Sequence, residues 1–258
     1  MPPPTRRRRF NLRHGSLLFA LALSAAACSA PQADALRGAS TKVAPAGQTA
    51  LPRPTPVYES PVLAALVAAA VERTNHQVRY DGSYYQIAYP GGDVPADRGA
   101  CTDEVVRAYR AAGIDLQKEV HEDMQANFAV YPRTFNLARP DANIDHRRVP
   151  NLMTFFARKG KSLPITTNVA DYQPGDIVTW NLNGGLTHIG VVVDVPSTED
   201  PARYQIMHNI GAGPKIEDAL FAWTITGHYR YTGPPPPPPP AQPAPPTSSG
   251  TKRARRRL

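Results

Sequence analysis

One cysteine, Cys101, stands in the stretch Arg98-Gly99-Ala100-Cys101-Thr102-Asp103-Glu104-Val105-Val106, where a helix would begin. The other cysteine, Cys28, falls in an N-terminal segment that reads as an export signal, so Cys101 has no internal disulfide partner. A thiol attacks as its thiolate, and a helix N-terminus or a neighbouring imidazolium lowers its free pKa of about 8.5. Far downstream, Thr187-His188-Ile189-Gly190-Val191-Val192-Val193 is a strand-like run carrying one histidine. A thiol at a helix start and an imidazole on a strand are the parts of a cysteine hydrolase; the bland alternative is a small buried hydrophobe.

Strand geometry supplies a third member. Alternate residues share a face, so His188, Gly190, Val192 and Asp194 point one way, as do Tyr204, Ile206, His208 and Ile210 on the next run. An antiparallel hairpin pairing Asp194 with Tyr204 would set His188 opposite Ile210 and diagonal to His208, at ~7–8 Å. His208 is then expected to orient the His188 ring. A bulge would exchange it for Asn209, the alternative third member.

The elements that must position these residues divide into helices first and strands second. Ser60 and Pro61 cap and start a helix expected to run to about Asn75. Tyr84 to Ile87 reads as a short strand, and the Gly- and Pro-rich stretch from Tyr89 to Gly99 as a loop delivering the chain to Cys101. Val105, Ala108, Tyr109 and Ala112 form the stripe of the cysteine helix, which Gly113 ends. Asp115 caps a further helix with Leu116, Val120, Met124 and Phe128 on one side, and another begins at Pro150 and stops at Gly160. Strands follow at Asp176–Trp180, around His188, at Tyr204–Asn209 and at Ile225–Tyr231, with an Asn183-Gly184 turn. This segregation predicts an α+β fold with an antiparallel sheet.

At the N-terminus, Arg6–Arg9, an apolar stretch from Leu17 to Ala27 and Cys28 read as a signal peptide over residues 1–30. The apolar stretch is too short for a transmembrane helix of roughly 20 residues. Ala25-Ala26-Ala27-Cys28 is a weak lipobox, so Cys28 is either a lipid anchor or removed. Residues 31–56 have a linker's composition, and residues 233–258 form a proline-rich, basic tail, leaving a folded body of 57–232. The net charge of +8 resides at the ends: outside the signal and tail clusters, 19 basic residues face 21 acidic ones. That near-neutral body argues against a nucleic-acid partner.

The order Cys101, Pro174-Gly175-Asp176-Ile177-Val178, His188-Ile189-Gly190-Val191, Met207-His208 resembles the NlpC-type papain-like cysteine peptidases of bacterial envelopes. More specific are Tyr89-Pro90-Gly91-Gly92-Asp93-Val94-Pro95, Cys101-Thr102-Asp103, Asn143-Ile144-Asp145-His146-Arg147-Arg148-Val149-Pro150 and Gly227-His228-Tyr229-Arg230. These resemble the bacterial domain of unknown function 1287 family over about residues 60–232. The wider resemblance implies a papain-like fold and hydrolysis of an amide in peptidoglycan stem peptides. It also implies a tyrosine at the oxyanion, and Tyr89, 12 residues before Cys101, fits that place. The NlpC-type pattern has aspartate before the cysteine and Ser-Gly after it; Ala100 and Thr102-Asp103 stand here instead, which leaves specificity open.

The expectation is therefore an exported envelope hydrolase, periplasmic or anchored to the outer membrane of a Gram-negative bacterium, with peptidoglycan as partner and no cofactor or metal. Cys101 is its nucleophile, His188 its base and His208 the orienting residue. Asp103, Arg147 and Arg148 are candidate substrate contacts, the arginines through a carboxylate. The alternatives are a thioesterase or acyltransferase on the same scaffold, a non-catalytic cell-wall binding module, and a zinc site of Cys101, His188 and His208.

Overall fold

The computed structural model describes residues 56, 58–135 and 137–235. The signal, Cys28, most of the linker and nearly all of the tail lie outside the described residues. Helix α1 (Pro61–Arg73) begins as expected, with the Ser60 hydroxyl accepting from the Val62 amide and Pro61 in the first turn. Its face of Leu63, Leu66, Val67 and Ala70 is buried. Two short strands, β1 (Arg79–Tyr80) and β2 (Arg98–Gly99), then pair in parallel, with Tyr80 beside Gly99. The strand expected at Tyr84–Ile87 is not formed; the backbone there runs without a ladder.

Helix α2 (Cys101–Ala111) starts at the cysteine. Ala100 cannot cap it with a side chain, and Asp103 in the first turn instead accepts from the Ala100 amide at 2.6 Å. Asp115 caps α3 (Leu116–Asn127) by accepting from the Gln117 and Lys118 amides. A 3₁₀ turn at Asp145–Arg147 leads into α4 (Val149–Lys159).

The rest is a six-stranded antiparallel sheet of β3 (Lys161–Ser162), β4 (Ile177–Asn181), β5 (Thr187–Pro196), β6 (Tyr204–Asn209), β7 (Pro214–Glu217) and β8 (Thr224–Arg230). In space the strands lie in the order β3-β8-β4-β5-β6-β7. The architecture is thus α+β, helices first and antiparallel sheet second. Ile177, Ile189, Val191, Val193 and Met207 join the core of α1, α2, α3 and α4. On the opposite face, Val178, Trp180, Val192 and Ile206 pack with Tyr172, Ala219 and Leu220.

Strand β5 lies against β6 with Val191 opposite Met207 and Val192 opposite Ile206. This is the expected register at the histidine end. At the far end a bulge pairs Pro196, rather than Asp194, with Tyr204. Gly190 lets the two strands close up, since a Cβ there would lie 2.6 Å from Ile206 Cγ2 and 2.9 Å from the Met207 carbonyl oxygen.

Candidate functional site

Cys101 is free, only 4% exposed, and sits at the first position of α2. Its sulfur lies near the backbone amides of Ile189 and Thr102 and near the Tyr80 hydroxyl, all of which favour the thiolate. Ile189 faces the helices with Cys101, whereas His188, one residue earlier on β5, points to the opposite face of the sheet beside Trp180, so the expected pairing of the Cys101 thiol with the His188 ring is not formed. Burial pushes the thiol pKa up to about 11 against the pull of the Ile189 amide, and the Asp103 carboxylate adds to the rise. The Tyr80 hydroxyl is likewise pushed up to about 12, first by burial and then by the neighbouring Cys101. The sulfur is therefore a thiol at rest.

His188 and His208 project from the sheet face that carries Trp180. The His188 ring centroid is 5.8 Å from that of Trp180 and 5.9 Å from that of Trp223. The expected diagonal is formed: His188 Nε2 and His208 Nδ1 are 2.8 Å apart. His208 Nε2 continues the line to a Glu217 carboxylate oxygen at 2.9 Å. Since a carboxylate only accepts, His208 Nε2 carries the proton and donates it to Glu217. Neutral His208 then accepts at Nδ1 from His188 Nε2–H, which leaves Nδ1 of His188 as the bare, basic nitrogen. Burial, and then the charge of His208, hold the His188 pKa down at about 3. Burial also lowers that of His208, with Glu217 opposing.

The remaining expected site residues have other placements. Tyr89 does not lie beside the sulfur, where Tyr80 stands instead: its ring packs edge-on against His121 with centroids 5.1 Å apart, and its hydroxyl faces Glu122 on α3. Spacing from the cysteine misled here, because the residues between Tyr89 and β2 fold away along α3, where the Gly92 amide binds Gln117. Nothing in the local pattern marks Tyr80, since a two-residue parallel bridge has no periodicity to read. Asn209 turns toward the helices and donates to the Gly99 carbonyl at 3.3 Å, steadying the chain two residues before Cys101.

Asp103 and Arg147 are bound to each other rather than open to a ligand. Arg147 Nε and Nη2 reach the Asp103 oxygens at 2.7 and 3.1 Å, and Nη1 donates to the Ser83 carbonyl at 2.6 Å. Together with the Thr102 hydroxyl, which donates to the Arg147 carbonyl at 3.0 Å, they fasten the start of α2 to the 145–147 turn. Arg148 does face open space. It lines, with Cys101, Tyr80, Tyr84, Thr102, Phe135 and Thr187, a cleft of about 380 Å³. Among the described residues, no three of His, Cys, Asp and Glu converge as a metal-ligand set, so the zinc alternative lacks its geometry.

Residues 67–231, which hold the whole of this arrangement, match the family described as Domain of unknown function (DUF1287). The chain belongs to this family. It is also 53% identical over 167 residues to an uncharacterized protein, YijF, of Escherichia coli (strain K12), covering 65% of this chain and 80% of that protein. Among the described residues no helix is long and apolar enough to cross a membrane.

Proposed function

We propose that this member of the DUF1287 family is an exported cysteine hydrolase that cleaves an amide bond in peptidoglycan stem peptides. One arrangement supports the reading: a free helix-start thiol lining an open cleft, beside the Tyr80 hydroxyl and the first turn of α2. A cysteine-led helix packed on an antiparallel sheet that bears the histidines is also the layout of a papain-like fold, which belongs to the same proposal. The N-terminal segment that reads as an export signal supports an envelope location for the proposed activity, with Cys28 as its proposed lipid anchor.

In the proposed reaction Cys101 Sγ attacks the carbonyl carbon and the C–S bond forms, while the thiol proton passes through cleft water toward the leaving nitrogen; the His188 ring, on the other face of the sheet, takes no part in this step. The Tyr80 hydroxyl and the amides at the start of α2 are the donors available to the oxyanion, and one such donor is worth on the order of 10²–10³ in rate. Collapse breaks the C–N bond, and the amine leaves with that proton. Water then hydrolyses the thioester and restores the thiol. A thiol held up at about 11 starts this sequence neutral, so proton transfer must accompany attack.

That neutral thiol, with the His188 ring on the far face of the sheet, favours a second reading, a wall-binding module in which the cleft holds a glycopeptide without turnover. Mass spectrometry of peptidoglycan fragments incubated with the purified protein separates the two. New peptide fragments that Cys101→Ala does not produce establish hydrolysis and identify the bond, whereas thioester substrates alone being cleaved would indicate an acyltransferase or thioesterase. Binding without new fragments, unchanged in Cys101→Ala, would leave the binding module.

A further inference from the structure

The buried and half-buried arginines of the domain are almost all matched to carboxylates: Arg107 to Asp93 and Glu104, Arg147 to Asp103, Arg158 to Asp123, Arg203 to Asp218, Arg230 to Asp176. Arg148 differs. Its guanidinium lies over the Phe135 ring, 4.1 Å from the centroid, and its Nη1 is buried without a hydrogen-bond partner. Arg148 and Phe135 both line the Cys101 cleft.

The carboxylates nearest Arg148 are engaged elsewhere. Asp141 accepts from Tyr84 at 3.0 Å and from the Asn143 amide and side chain at 2.9 and 2.8 Å. One oxygen of Asp145 accepts from His121 at 2.9 Å and from the Asp141 amide at 2.8 Å. Burial lowers the Arg148 pKa against the opposing charges of Asp145 and Asp141, and neither carboxylate comes within 4 Å to form an ion pair with it. A half-buried guanidinium with an unmatched nitrogen is a planar fork whose natural complement is a carboxylate, and stacking on Phe135 fixes its plane in advance. Leaving such a donor unpaired is unfavourable, and a ligand that supplies the missing acceptor recovers the loss.

We propose that Arg148 is the anchor of a carboxylate-binding subsite in the Cys101 cleft, so that the protein selects peptides bearing a free carboxylate. The assignment rests on the hydrolase reading only in calling that peptide a substrate; the binding event does not need turnover. The rim of the subsite is aromatic, from Tyr84 and Phe135, and offers one unmatched cation, Arg148, since the Arg147 that also lines it is held by Asp103. One unmatched cation suits a monoanionic peptide carboxylate better than a phosphate dianion.

The test is a binding titration on full-length Cys101→Ala protein with N-acetyl-alanyl-alanine, its C-terminal carboxamide and inorganic phosphate as probes, read by amide NMR shifts of the cleft residues. The carboxylate is expected to bind at least about tenfold more tightly than the carboxamide, the equivalent of ~1.4 kcal/mol. Arg148→Met should abolish that preference, and Arg148→Lys, which keeps charge without the fork, should retain part of it. Equal binding of acid and amide, a preference that survives Arg148→Met, tighter binding of phosphate, or no cleft shift with any probe would each overturn the subsite. Hydrolysis failing while the carboxylate preference holds would sink the hydrolase and leave the subsite standing.

Discussion

His188 and His208 meet across the β5–β6 ladder with Nε2 and Nδ1 2.8 Å apart, and this contact fixes which nitrogen of each ring is basic. Glu217, accepting from His208 Nε2, sets the direction of the whole line. Glu217→Ala should therefore let His208 lose its preferred tautomer, whereas Glu217→Gln keeps an acceptor and should preserve it. Nitrogen NMR of labelled histidine checks the chain without a substrate: His188 Nδ1 should show the shift of an unprotonated ring nitrogen. A protonated Nδ1 in the unaltered protein would mean that the line runs the other way.

The reactivity of Cys101 follows from its surroundings. With burial holding the thiol up at about 11, alkylation by iodoacetamide should be slow at neutral pH and climb steadily above pH 9. Tyr80→Phe removes a hydroxyl that stabilises the thiolate and should slow alkylation further at any fixed pH. Peptide mapping resolves Cys101 from Cys28 wherever the latter is retained. Rapid labelling at pH 6 would instead require a thiolate–imidazolium pair, and would contradict the neutral resting state.

The relation of the two histidines is legible in the sequence because it depends only on strand alternation and on a register that the apolar faces enforce. Moving β6 by one residue would turn Met207 out of the helix-facing core and bring Ile206 into it. The bulge at Pro196 disturbs only the far end of the ladder. Glu217 is hidden for the opposite reason. It lies on the short edge strand β7, which Gly211, Gly213 and Pro214 disguise as a turn, and an edge strand needs little apolar pattern of its own. Tyr80 is equally silent, since its position comes from a two-residue bridge to Gly99. The charge pairs mislead for a third reason: Asp103 and Arg147 are 44 residues apart, and nothing in either segment says that the two side chains are buried against each other.

That pair carries its own prediction. The Asp103 and Arg147 side chains are 3% and 1% exposed, so removing one partner strands a charge in the interior. Arg147→Met should destabilise the fold by about 3–5 kcal/mol. Asp103→Leu combined with Arg147→Met should recover much of the loss, because no lone charge then remains. Urea unfolding of the two single variants and the double variant measures this. Additive losses in the double variant would show that the ion pair does not act as a unit.

Acid should loosen the domain in a window set by its buried histidines. His188 is held down at about 3 by burial and by His208, and His146 is held down at about 3 by burial and by the nearby Arg147 and Arg110 charges. An unfolded chain protonates these rings below about pH 6.5, whereas the folded one resists until about pH 3. The unfolded state therefore binds more protons throughout that interval, so stability is complete above about pH 6.5 and falls as pH drops toward 3. Each ring contributes up to about 1.4 kcal/mol per pH unit within the window. Asp123 loses its contribution lower down: against burial, Arg158, Tyr131 and Lys159 hold it at about 2, so its share disappears only below its ordinary value of 3.8. Urea midpoints at about pH 7, 6 and 4.5 read the histidines against the smaller opposing effect of Glu119 and Asp145, whose carboxyls burial raises, and His146→Gln, which keeps a polar side chain that cannot take up a proton there, should flatten the slope. A midpoint that does not change between about pH 7 and 4.5 would mean that the rings are solvated in the folded protein and that the closed arrangement around His188 is wrong.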